Sequence, residues 1–415
     1  MMRVSRLGLF VSVLVFLTLF LSCETNGPDD YKNYFIKYYG GDGNQEARDF
    51  VLNDDGSIVI LGTSLEGNDI TRLYLVKVDA EGNVLWQKEV GSSSEEARDI
   101  EPIIAGPNLG DFVVLSNVRK NSVDSLAIRL TIISNLTGDS ITSVYFNLLD
   151  SQEGYSVTPK SDGGYFVGGK TTDPNSEDNV EPEFTNIEDQ LLIQFEPDLT
   201  YQPSNVTRIG GSANGAVTKV FSAGPPYYFA GYSDEKNRFI VDDTYESNFF
   251  FRSFNVVGTQ TQIDYAGSED EGVSEYMTDI VKYGASYAAV GTKVQPSGVK
   301  SIFITSLNSA FRVTGEGTSS VNCEGVSVCV SASGVYLILG NQITAGGNRD
   351  ILFARTNSAD QLAGSRNLTF GAPNNDDTAS AIRELDNGDV LILGTMELVN
   401  QKKMALIKIK GDGSF

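Results

Sequence analysis

The chain contains no histidine, and that single absence removes a large part of enzyme chemistry. Ser-His-Asp and Cys-His relays need an imidazole to carry the proton, and His-ligated metal mechanisms need it as a ligand, so these classes are excluded. Cysteine is almost as scarce, with three in 415 residues and no C-x-x-C pair, and no metal-ligand cluster is readable. Basic residues are also in the minority, 31 Lys and Arg against 54 Asp and Glu, for a formal net charge of −23. Nucleic-acid affinity comes largely from Lys and Arg neutralising phosphates, so nucleic acid is not expected as a partner. Such a charge suits a highly soluble exported protein.

The N-terminus reads as a targeting segment. Arg3 and Arg6 precede an uncharged apolar run from Leu7 to Leu21, the layout of a signal peptide, and the run is too short and too abruptly followed by polar residues for a membrane span. It ends in Leu19-Phe20-Leu21-Ser22-Cys23, which resembles a bacterial lipobox, although Phe20 stands where a smaller aliphatic residue is usual. The resemblance implies removal of residues 1–22 and acylation of Cys23, which would hold the protein on a membrane through buried acyl chains; ordinary secretion with Cys23 buried is the alternative. Loss of Arg3 and Arg6 leaves 29 basic against 54 acidic residues, a net charge of −25. Residues 23–33 are polar, carry Asp29-Asp30, show no apolar period and read as a flexible tether. Acidic residues soon after a lipidated cysteine resemble the surface-export signals of Bacteroidota lipoproteins, which implies an outer-membrane protein facing outward.

Residues 34–415 carry an internal repeat. Glu46 to Thr63 reads as a strand, a tight turn at Asp54-Asp55-Gly56 and a second strand ending Leu61-Gly62-Thr63. The glycine returns at Gly169, Gly231, Gly291, Gly340 and Gly394, while the copy ending Val113-Val114-Leu115-Ser116 has serine there. That makes seven units, roughly 50 to 60 residues apart, the spacing of propeller blades. Each unit continues into an apolar third strand, such as Tyr74-Leu75-Val76-Lys77-Val78, and six add a fourth of mixed polarity that suits a blade's outer edge. The seventh stops at Phe415 without one, whereas a fourth-strand-like segment, Tyr34 to Gly41, precedes the first unit. The expected fold is all-β, a seven-bladed propeller of four-stranded blades closed by the N-terminal strand. Cys323 and Cys329 would be too far apart to bridge on one extended strand, and only a turn between them would change that.

The units resemble bacterial propeller families that read Asp-Gly-Gly-Tyr, apolar strand, Gly-Thr, then Lys-x-Asp-x-x-Gly-x-x-x-Trp. Asp162-Gly163-Gly164-Tyr165 and Lys77-Val78-Asp79-Ala80-Glu81-Gly82-Asn83-Val84-Leu85-Trp86 carry the likeness, which covers nearly the whole chain after the tether. Such families share a fold with little common activity, so the resemblance implies architecture more than function.

Turns joining strands one to two and three to four share one face of a propeller and are tight here; the other face has long loops, Thr171 to Asp189 and Ser233 to Ser247, and function is expected there. In the first loop Asp173, Glu177, Asp178, Glu181 and Phe184 are candidate partner-docking residues, against the reading of solvated decoration. In the second, Phe239, Asp242, Asp243 and Tyr245 are a mix suited to docking, to stacking on a sugar or to binding calcium. Two-carboxylate glycoside chemistry needs no histidine, and Glu95, Glu96, Asp270, Glu271, Asp376 and Asp377 could supply a pair, but abundance singles out none. Most aromatics, including Phe249, Phe250, Phe251 and Phe303, fall within strand patterns and read as core. The expectation is a non-enzymatic, cofactor-free lipoprotein that binds a protein partner as an accessory subunit of an envelope complex. A glycan-binding lipoprotein is the second reading and a carboxylate-dependent glycosidase or lyase the third.

Overall fold

Strand propensity and burial agree along each repeat. Ile58 to Leu61 are apolar and buried, as a strand sandwiched on both faces requires, and Phe249, Phe250 and Phe251 show why the pattern is continuous rather than alternating. Phe249 and Phe251 pack into one apolar cluster and Phe250 into the next. Outer strands such as Val84–Val90 are half exposed instead.

The computed structural model describes residues 34–67, 70–120, 125–148, 151–172, 188–209, 214–221, 226–234, 246–256, 259–320, 322–364 and 366–414. These form seven four-stranded antiparallel sheets, the blades of a β-propeller. In chain order the inner strands of blades 1 to 7 are Asn44–Leu52, Glu95–Pro102, Gln152–Pro159, Gly215–Phe221, Ser274–Tyr283, Cys323–Val330 and Thr378–Glu384. Each inner strand packs beside the next, and that of blade 7 beside that of blade 1, which closes the ring. Seven apolar clusters fill the seven junctions between blades.

The closure is the expected one. Phe35–Tyr39 pairs antiparallel with Gln401–Ile409, Phe35 opposite Lys408 and Tyr39 opposite Met404, and so supplies the outer strand of blade 7. Cys323 and Cys329 lie on one extended inner strand, both buried and neither in a disulfide. The repeated Lys-x-Asp-x-x-Gly segment proves to be a turn: the Asp79 carboxylate accepts the Asn83 N–H at 2.7 Å and the Glu81 N–H at 3.1 Å, and Lys77 reaches into blade 2 to the Asn135 side chain at 2.7 Å.

Candidate functional site: the axial cup

All seven inner strands carry a β-bulge at the same place. The register slips between Ala47 and Asp49 in blade 1, between Ala97 and Asp99 in blade 2, and at the matching position of the other five. A bulge puts two residues against one, so both turn the same way. The inserted residues are Arg48, Arg98, Tyr155, Thr218, Thr278, Val326 and Ser380, and they ring a cavity on the propeller axis of about 110 Å³. The bulge also explains the recurring glycine. A methyl group on Gly62 would stand 2.5 Å from the Glu46 carbonyl oxygen, and one on Gly394 2.6 Å from that of Thr378.

A bulge frees backbone N–H groups that need acceptors. The residue after each insertion supplies several of them across the blade junction: Asp99 accepts the Val157 N–H at 2.8 Å, Asp279 the Val328 N–H at 3.1 Å and Ser156 the Val220 N–H at 3.3 Å. Blade 4 has Lys219 at this place instead, and its ammonium lies 3.6 Å from Asp99 and 3.8 Å from Glu101. From blade 7, Arg383 donates to Asp49 at 3.1 Å. These ion pairs make a charged floor across the axis.

Burial pushes the Asp49 carboxyl up to about 8 despite Arg383, aided by the neighbouring Asp99 charge. Burial acts to raise Asp99 as well, but the Lys219 ammonium, a hydrogen bond from Asp49 and the Val157 N–H together bring it below the usual carboxylate range. Asp49 is therefore the more readily protonated of the two. Burial likewise lifts Glu101 to about 7, against the pull of Lys219.

A second device sits nearer the long-loop face, in the residue after the recurring glycine. Thr63 accepts the Ala97 N–H of the next blade at 3.0 Å, Asn117 that of Gly154 at 2.8 Å, Thr292 that of Gly325 at 3.1 Å, Asn341 that of Ala379 at 2.8 Å and Thr395 that of Ala47 at 2.9 Å. The Gly-Thr motif is thus an inter-blade latch. At the other two junctions the position holds Lys170 and Tyr232. Lys170 pairs with Glu188 at 2.6 Å and Glu153 at 3.5 Å; Tyr155 donates to Glu153 at 3.0 Å; Tyr232 meets Tyr276 edge to face, ring centres 5.2 Å apart. Blades 3, 4 and 5 thereby bring three tyrosines together beside the cup.

The acids considered for catalysis are engaged separately. Glu95 is fully buried and accepts from Ser92, Ser116 and Arg129, tying the loop into blade 2. Asp377, also buried, accepts the Ala372 and Glu397 N–H groups, and Asp376 forms a two-pronged pair with Arg349. Glu96 pairs with Arg98 at 3.5 Å, and Asp270 accepts from the Ser268 hydroxyl at 2.8 Å. Each is held by its own separate partners, which does not favour a convergent pair. The loop candidates Asp173, Glu177, Asp178, Glu181, Phe184, Phe239, Asp242, Asp243 and Tyr245, and the anchor Cys23, lie outside the described residues. Among the described residues no three Cys, Asp or Glu side chains gather as a metal ion would require, and no helix is long and apolar enough to cross a membrane.

The axial charges were missed from sequence, although a signal existed. Polar doublets Arg48-Asp49, Arg98-Asp99, Thr218-Lys219 and Thr278-Asp279 interrupt otherwise alternating strands, and a doublet in an inner strand marks a bulge.

No protein-family model and no curated protein matches the chain. Among solved structures it is similar to a protein of unknown function from Dyadobacter fermentans (10% identity, 90% of this chain and 97% of that one, TM-score 0.50). It is also similar to the Pan2 WD40 domain of Neurospora crassa (7% identity, 91% and 95%, TM-score 0.52) and to an alpha-L-arabinanase of Penicillium chrysogenum solved with arabinobiose (9% identity, 92% and 99%, TM-score 0.50). At such identities the likeness is one of fold alone: the chain is a seven-bladed β-propeller whose solved neighbours span unrelated roles.

Proposed function

We propose that this chain is a non-enzymatic binding propeller, anchored to the outer membrane through an acylated Cys23 and turned outward, which docks a protein partner on its long-loop face as an accessory subunit of an envelope complex. The observation that carries this reading is the loss of the latch at Lys170 and Tyr232. Sequences depart from a repeat's structural rule where function demands it, and both departures fall on the blades that carry the two longest loops. The engaged state of the carboxylates supports a binding role over catalysis. Asp49 and Asp99 have affinities for protons pushed apart, as an acid and base would, but their oxygens already serve Phe50, Val157, Lys219 and Arg383.

One observation favours a glycan as the second reading: the grouping of Tyr155, Tyr232 and Tyr276, of which Tyr276 is 40% exposed, gives aromatic surface of the kind sugars stack on. The test is cross-linked recovery of the acylated protein from its own solubilised envelope. A stoichiometric protein partner that is lost in the Tyr232→Ala, Tyr276→Ala variant, and retained in an Asp54→Asn variant of the tight-turn face, is expected. Recovery of the protein alone, with saturable binding to polysaccharides instead, would replace the docking reading by the glycan one.

A further inference from the structure

We propose that the axial cup is a carboxylate site, in which Arg48 and Arg98 together grip a carboxylate group carried by the ligand of the long-loop face. It rests on the reading above only so far as that face is the binding face.

The acceptors of the cup are spoken for. Asp279 takes the Ile280 N–H at 2.8 Å with one oxygen and the Val328 N–H and Ser327 hydroxyl with the other, while Asp49 and Asp99 serve backbone and floor cations. Spare capacity lies with the donors. Each arginine touches carboxylates through one terminal nitrogen, Arg48 to Glu46 at 3.3 Å and Arg98 to Glu153 at 2.8 Å and Glu96 at 3.5 Å. The Nε of both is buried without a hydrogen-bond partner. A buried guanidinium donor left unpaired costs stability, and although Arg129 and Arg355 carry an unpaired Nε elsewhere, Arg48 and Arg98 are set apart by lining one cavity that a ligand can enter.

The two guanidinium groups also come from neighbouring blades into one cavity. Burial, and then the charge of Arg98, weaken the hold of Arg48 on its proton, which is the strain an incoming anion relieves. The planar fork of arginine matches a carboxylate or a phosphate. The charge around it selects between them: Glu46, Glu96, Glu153, Asp49, Asp99 and Asp279 stand close to the four cations Arg48, Arg98, Lys219 and Arg383, so each added negative charge is opposed and a carboxylate enters at less cost than a phosphate dianion. A cavity of about 110 Å³ has room for a small acidic group, not a polymer, and the Thr278 and Ser380 hydroxyls that also line it already donate to the carbonyls of Val290 and Gly325 and of Ala47, which leaves the arginines as its donors.

The carboxylate could belong to a peptide or to a sugar acid, and the experiment separates them. Calorimetric titrations of the full chain at low ionic strength would use acetate, N-acetylglycylglycine and D-galacturonate, each beside its uncharged mate: acetamide, the peptide amide and galactose. Carboxylates are expected to bind at least about tenfold more tightly than their mates, the difference that a charge-assisted hydrogen-bonded pair provides. Arg48→Gln and Arg98→Gln should each abolish that preference, and Asp54→Asn should keep it. Preference for the peptide sustains both the site and protein docking; preference for galacturonate sustains the site and removes the docking reading. Equal binding of carboxylate and mate in the unaltered protein, which needs no variant to fold, overturns the proposal. So does a captured protein partner together with indifference to every carboxylate, an outcome that leaves docking standing.

Discussion

The junction between blades 1 and 2 and the junction between blades 4 and 5 solve the same problem differently. At the first, Thr63 latches the Ala97 N–H and buried Glu95 gathers a loop N–H, a hydroxyl and Arg129. At the second, Tyr232 stands in the latch position and turns its ring to Tyr276, while buried Glu275, the counterpart of Glu95, keeps the knot by gathering the Ser268 N–H, the Asn248 amide and Lys293. Both junctions bury apolar side chains, so neither needs the polar device to exist. The difference teaches that this repeat is held by two layers of interaction. The apolar layer is common to the ring, and in the polar layer the latch is replaced on one arc by Lys170 and Tyr232, which turn to carboxylates and to Tyr276 instead.

The largest effect should come from removing a knot in the regular arc. Glu95→Ala leaves Arg129 buried without its carboxylate, and breaking a buried pair costs about 3–5 kcal/mol. Urea unfolding would show it, and a loss below about 1 kcal/mol would mean that the apolar layer alone holds blade 2. Next in size is a pH effect in the floor. Asp49 is raised from its ordinary range to about 8, so between roughly pH 4 and pH 8 the folded chain binds a proton that the unfolded chain has released. Stability from this group therefore falls as pH rises through that window, and Glu101, raised to about 7, adds in the same direction. Asp49→Asn should flatten the fall in melting temperature between pH 5 and pH 8; an unchanged slope would place the proton elsewhere.

Much of this was readable in the sequence, and the divide is physical. Register and count follow from local chemistry: Asp-Gly turns, the glycine after each second strand and a spare strand at Phe35–Tyr39 define seven closed blades without tertiary knowledge. The reason for the glycine was not readable, because it lies in a bulge on the neighbouring strand. Glu95 looked like a loop acid, since a charge beside Ser92-Ser93-Ser94 reads as solvated; that Arg129, 34 residues away, meets it is a property of the sheet. The cup was illegible for the same reason. It takes one to three residues from each of seven strands, and no short window of sequence holds the contribution of more than one strand.

A smaller effect separates the two arcs directly. Thr63→Val keeps shape but leaves the Ala97 N–H buried without an acceptor, for a loss of about 1–3 kcal/mol in equilibrium unfolding. The reverse substitution, Tyr232→Thr, should change stability least. Threonine there could accept the Met277 N–H, which occupies the place of Ala97 in the register, and gain about 0.5–1.5 kcal/mol. It would also lose the edge-to-face contact with Tyr276, worth about 0.5–1.5 kcal/mol, so the sum lies near zero. Binding on the long-loop face should nevertheless fall, because the substitution restores the repeat by removing the tyrosine. Near-constant unfolding energy with lost ligand capture is the signature of a position released from structure for function. A gain in stability with binding intact would mean that Tyr232 is only a tolerated lapse in the latch, and that the released arc has to be sought elsewhere on the ring.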